Sequence, residues 1–181
     1  MLAADALHSD LAKAGFANLD LAQPWSLTSG RYVVRRGAAV VAFVVRGRSL
    51  TSFRLVGAHT DSPHLRLKPR APYATEGYRQ LGVAVYGGAL HNSWLDRDLG
   101  IAGVVFARDG GARTIRLQRP IARVAQLAIH LDRKVNDDGL KLNAQTQLAP
   151  IWGLTRDGKN EAEAFSALLA EASGLTADDI V

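Results

Sequence analysis

His59 and Asp61 stand two residues apart in the string SFRLVGAHTDSPHLRLKP, residues 52–69. An imidazole nitrogen can bind a cation such as zinc, and a nearby carboxylate can fix the tautomer and orientation of the ring. The local sequence suits such a pair. Phe53, Leu55 and Val56 predict a short apolar strand that Gly57 and Ala58 close off. His59, Thr60, Asp61, Ser62 and Pro63 then form a tight loop at the strand end, and the alternating run Leu65-Arg66-Leu67 leads away. The competing reading is structural, because Asp and Ser stabilise turns and a His-x-Asp pair also arises by chance. If metal is bound, Asp61 orients His59 or acts on the base that activates a water.

The remaining candidates are weaker. His130 ends the apolar run Leu127-Ala128-Ile129 and reads first as a strand-terminal histidine bonded to a carbonyl. His8 falls on the polar side of an amino-terminal helix, and His64 and His91 are ambiguous. Trp94-Leu95-Asp96-Arg97-Asp98-Leu99 packs three charges between apolar residues. That suits a substrate clamp or, more commonly, a structural Asp–Arg–Asp network. Gly87-Gly88 permits a tight backbone but lacks the Lys-Ser/Thr and helix start of a phosphate loop. No Ser-His-Asp order or nucleophile elbow is visible. A hydrolytic zinc site needs about three protein ligands and a carboxylate base. Taken alone, these residues make half a site at best.

The elements that must position these groups follow from patterning. Leu7, Leu11 and Ala14 predict an amphipathic helix over residues 3–14, with Gly15 as its cap. Residues 31–36 and 38–46 read as strands around Gly37, and residues 52–58 as the strand that delivers the His-x-Asp loop. Pro72 and Gly77 punctuate a connection to a strand at residues 80–86. Residues 101–107 and 113–117 flank Asp109-Gly110-Gly111, a hairpin signal. Residues 121–130 are mainly apolar and residues 132–147 polar. A last helix is predicted over residues 161–172 with Gly174 as its cap, and Thr176 with Asp178 and Asp179 suggests another helix start or turn.

Composition narrows the class further. The 181 residues can bury a real core, and 48% apolar with 22% charged residues is ordinary for a globular protein. Without cysteine there are no disulfides or thiolate metal sites, so any metal must use His, Asp or Glu. No apolar run approaches the roughly 20 residues that span a bilayer, and no signal peptide is recognisable, so a cytoplasmic location is expected. The net charge of +5 divides as +6 over residues 1–70, +3 over 71–141 and −4 over 142–181. Basic residues are dispersed through alternating strands with no run longer than two, which argues against nucleic acid as the partner.

Several strings together are more specific than any one. GAHTDSPHLRLKP (57–69), VAVYGGALHNSWLDRDLGIAG (83–103), RPIARVAQLAIHLDRKVNDDGLKLN (119–143) and LAPIWG (148–153) occur in the order of the M18 metallopeptidases. The sequence resembles these aspartyl aminopeptidases and their bacterial relatives over nearly all its length. The resemblance implies an α/β fold: the start of an α/β/α zinc-aminopeptidase sandwich over residues 1–69, then a β-rich inserted domain over 70–181 that closes the site and builds an oligomer. It implies a zinc-dependent exopeptidase, with two Zn2+ per site in the complete enzyme, that removes N-terminal, possibly acidic, residues from peptides. By position His59 resembles the first zinc ligand and Asp61 its orienting carboxylate. His130 resembles a histidine that reaches an active site, a neighbouring subunit's by expectation, to bind substrate or metal. The family's bridging Asp, its Glu-Glu pair and its late His have no counterpart, so the sequence is expected to be an amino-terminal portion, inactive alone. The alternative is a non-catalytic self-association module derived from such an enzyme.

Overall fold

Residues 2–47, 52–155 and 160–181 are described in the structure, a computed structural model. The chain folds as two units, Met1–Ser62 and Pro63–Val181. The boundary falls inside the string that carries His59 and Asp61, one residue before a long strand begins.

In the first unit the helix α1, Leu2–Lys13, is followed by β1, Ala17–Asn18, β2, Gly30–Arg36, and β3, Ala39–Val45. β1 runs parallel to β2, and β2 pairs antiparallel with β3 from Gly30↔Val45 to Arg36↔Ala39. Valine-rich strands supply the apolar face: Val33 and Val34 of β2 and Val45 of β3 are buried, as is Ala4 of α1. An Arg35–Asp5 ion pair ties β2 to α1. α1, β2 and β3 agree with the sequence expectation, whereas the short β1 lies in a stretch, residues 16–30, that the sequence reads as a loop.

Residues 52–58 do not. They form no strand, and Phe53, Leu55 and Val56 are 75%, 90% and 98% exposed. Apolar β-branched character favours a strand only where a neighbouring strand satisfies its N–H and C=O groups. No described residue provides that neighbour.

The second unit carries β4, His64–Thr75, β5, Tyr78–Tyr86, β6, Leu99–Phe106, β7, Ala112–Ala122, the short helix α2, Val135–Asp138, β8, Ile151–Leu154, and α3, Glu161–Ser173. β4, β5 and β8 form one sheet in that order, and β6 and β7 a hairpin. Pro72, expected in a connection, lies inside β4 opposite Leu81. A register shift between Leu67 and Pro72 absorbs the missing donor. Glu76 and Gly77 both have positive φ, 47° and 80°, as a two-residue hairpin turn between β4 and β5 requires. At Gly100 a Cβ would sit 2.3 Å from the Leu117 carbonyl oxygen, so only glycine fits that irregularity of β6.

Leu95, Val124 and Leu148 make the buried core cluster, with Leu65, Val85, Leu99, Leu140 and Leu142 packed around it. At a second junction Trp152 of β8 meets Phe165 of α3 edge-on at 5.6 Å, and the Arg79 guanidinium of β5 lies over Trp152 at 4.9 Å. Arg79 Nε approaches Glu161 Oε2 at 2.7 Å, with both side chains only 12% exposed. The alignment is poor, and the buried Nη2 finds no acceptor. Asn160 caps α3 by accepting from the Ala162 amide. The terminal residues fold back on the β6–β7 hairpin: Val181 donates to the Phe106 carbonyl at 3.0 Å and the Arg108 amide to the Asp179 carbonyl at 2.7 Å.

Candidate metal centre

His59 and Asp61 lie in the last residues of the first unit, after the exposed segment 52–58. Asp61 Oδ1 is 3.7 Å from His59 Nδ1, beyond hydrogen-bond range, and the two side chains are 47% and 96% exposed. Asp61 therefore flanks the Nδ1 side of the ring and leaves Nε2 as the outward nitrogen. That is the sense in which a carboxylate orients a zinc-binding imidazole. Among the described residues no group of three or more His, Cys, Asp or Glu side chains converges on a common point. The donors present fit a zinc ligand and its orienting carboxylate, and a complete site needs further donors.

His130 belongs to the second unit. It is not at the end of a strand but in an exposed turn, closed by the Leu131 and Asp132 amides donating to the Ala128 carbonyl at 2.8 and 3.3 Å. Its ring makes no hydrogen bond, to side chain or carbonyl, with any described residue, so the carbonyl-bonded reading of the sequence does not hold. The structure thus brings His59 and Asp61 together and places His130 on the other unit. Of the remaining histidines, His8 bonds Asn18 across the first unit at 2.8 Å and His64 packs on the Tyr86 ring at 4.9 Å.

The Asp96-Arg97-Asp98 cluster is structural, but not through Arg97. Asp98 pairs with Arg123, whose guanidinium is held above its already high ordinary pKa first by that hydrogen bond and then by the carboxylate's charge. Asp96, with φ of 51°, donates its amide to the Val124 carbonyl and accepts from the Gln126 amide through its carboxylate. Sequence spacing cannot reveal this, because Arg123 lies 25 residues from Asp98. Beside it an open hollow of about 510 Å³ is lined by Pro63, Leu90, Trp94 and Arg97. A smaller cavity beneath residues 124–127 was hidden in the polar stretch 132–147.

The chain belongs to the M18 family, described as Aminopeptidase I zinc metalloprotease, whose profile matches residues 3–181. It is 51% identical over 172 residues to a probable M18 family aminopeptidase 2 of Streptomyces avermitilis, covering 94% of this chain and 39% of the relative. It is 43% identical over 168 residues to aspartyl aminopeptidase 4 of Saccharomyces cerevisiae, covering 87% and 34%. Its fold matches a chain in the cryo-EM structure of the Ape4 and Nbr1 complex with TM-score 0.82 and 30% identity, covering 98% of this chain and 39% of that one. At 21% identity and TM-score 0.63 it shares its fold with the S. cerevisiae mApe1 dodecamer, covering 98% of this chain and 42% of that one. The chain spans about two fifths of the length of the curated relatives it matches.

Proposed function

We propose that this chain provides the amino-terminal part of a zinc-dependent aminopeptidase that removes N-terminal residues from peptides in the cytoplasm. The observation that carries the reading is the His59–Asp61 pair, carried by a chain of this family and with Nε2 left outward. In this reading residues 1–69 begin the catalytic domain and residues 70–181 are the inserted domain. His59 binds one of two zinc ions, Asp61 holds the imidazole in the binding tautomer, and His130 meets substrate or metal. Zinc supplies a Lewis acid for the scissile carbonyl and a nucleophile from water at neutral pH. A preference for acidic N-terminal residues is supported by the name of the yeast relative and by the basic excess of residues 1–70.

The test joins this chain to the carboxy-terminal three fifths of the Streptomyces avermitilis relative. The chimera hydrolyses aminoacyl p-nitroanilides in zinc, whereas the 181-residue chain alone does not. In the chimera His59→Ala lowers kcat/KM by about 10³-fold or more, and Asp61→Asn by about 10–100-fold, the usual cost of losing an orienting carboxylate. Turnover by the isolated chain that depends on His59 would sink the proposal.

A second reading, self-association without catalysis, is favoured by one observation. Leu127, Ile129 and Leu131 around His130 are 53%, 45% and 74% exposed, an apolar patch suited to a second copy. Sedimentation velocity at high concentration checks it: a clean monomer counts against this reading.

A further inference from the structure

Between β5, residues 124–127, residues 140–147 and β8 of the second unit lies a cavity of about 260 Å³. Pockets for drug-sized ligands run from roughly 300 to 1,000 Å³, so this one suits a smaller molecule. Its floor is apolar, because Leu95 and Val124 are 9% and 1% exposed. Its lining also carries opposite charges, Asp132 and Lys141, together with the amides of Gln80 and Gln126. None of these four side chains makes a hydrogen bond or ion pair with any described residue. Asp132 is partly buried, and its carboxylate has no partner among the described residues. Polar groups left unpaired in the lining of a concavity with an apolar floor are what a small-ligand site presents.

The charges decide the ligand class. A simple amine would satisfy Asp132 and leave Lys141 unmatched, and a simple anion would do the reverse beside a repelling carboxylate. A zwitterion answers both. We propose that this cavity binds a free α-amino acid with an apolar side chain. Its ammonium meets Asp132, its carboxylate meets Lys141, and its side chain lies on the Leu95–Val124 floor. The site stands on residues of the second unit alone. The aminopeptidase reading only names a source, since hydrolysis at a peptide N-terminus releases this class of molecule.

The experiment titrates the full ¹⁵N-labelled chain in EDTA with L-leucine, N-acetyl-L-leucine and L-leucinamide, following backbone amides. L-leucine is expected to shift residues 124–127 and 140–147 saturably, with Kd of about 1 mM or tighter. Each analogue lacks one charge and binds at least about tenfold more weakly, the scale of one lost charge-assisted contact. Asp132→Asn loses the preference over N-acetyl-L-leucine, and Lys141→Met the preference over L-leucinamide. Absence of a saturable shift with L-leucine, equal affinity for all three, or shifts confined to other residues overturns the proposal. If a variant fails to fold, the analogue series on the unaltered chain still decides. Because neither zinc nor turnover is involved, this result and that of the chimera fail or succeed separately.

Discussion

In the first unit, the turn that carries His59 and Asp61 follows a segment whose apolar residues face solvent, and its two side chains stand 3.7 Å apart without a hydrogen bond. In the second unit, Asp96 and Asp98 are also at the surface, yet backbone amides and Arg123 fix both. The contrast separates carboxylates that their own chain holds from a His–Asp pair that it leaves without a hydrogen bond. A carboxylate saturated by its own chain has little left to give a substrate, whereas His59 keeps Nε2 uncommitted. The cost is geometric. Without packing around the turn, nothing described in the first unit locks the imidazole within the narrow tolerance that a metal site demands. The units therefore answer differently to mutation.

The largest effect is expected in the second unit's core. Leu148 is fully buried against Leu95 and Val124, so Leu148→Ala removes buried methyl groups and opens a void at their junction. A loss of about 2–5 kcal/mol follows from such truncations. Urea unfolding followed by tryptophan fluorescence measures it. A change below about 1 kcal/mol, close to the range of surface substitutions, would mean that the contrast between units is overstated.

Next comes the Arg79–Glu161 pair. Glu161→Gln leaves the Arg79 guanidinium buried beside Trp152 with its charge unmatched. Breaking a well-made buried pair costs about 3–5 kcal/mol; poor alignment and residual exposure reduce the expectation here to about 1–2 kcal/mol. The same urea titration reads it, and an unchanged midpoint would show that the α3 junction rests on Trp152–Phe165 packing instead.

How much of this was legible in the sequence differs along the chain for physical reasons. α1, β2, β3, the β6–β7 hairpin and α3 are local: their periodicity, turn residues and caps lie within the segment that folds, so residues such as Gly37, Asp109 and Gly174 declare them. Pairings such as Arg123 with Asp98, or Lys141 and Asp132 on one cavity, depend on chain reversals that spacing does not encode. Pro72 misled because a proline reads as a break, while a register shift lets a long strand keep it. The His59–Asp61 pair was legible as chemistry, since two residue types at short spacing suffice to suggest it. Its setting was not, because residues 52–58 have strand character but no strand partner among the described residues.

That last discrepancy yields the smallest and most discriminating prediction. Val56 is 98% exposed, so Val56→Ser removes almost no buried surface from this chain, and its stability changes by no more than about 0.5 kcal/mol. The same substitution in the chimera meets a different environment if residues 52–58 become a paired strand there. Fully burying a valine contributes about 1.5–3 kcal/mol by area alone, and a serine hydroxyl in its place adds an unsatisfied polar group. Thermal melts of the four proteins, chain and chimera with and without the change, read the difference directly. A large loss confined to the chimera makes the strand conditional on its neighbours and explains why a strongly β-forming string lies unpaired here. Equal, small losses in both would instead mean that the exposed conformation of residues 52–58 is intrinsic, and that the His59 turn must be positioned from its Pro63 side.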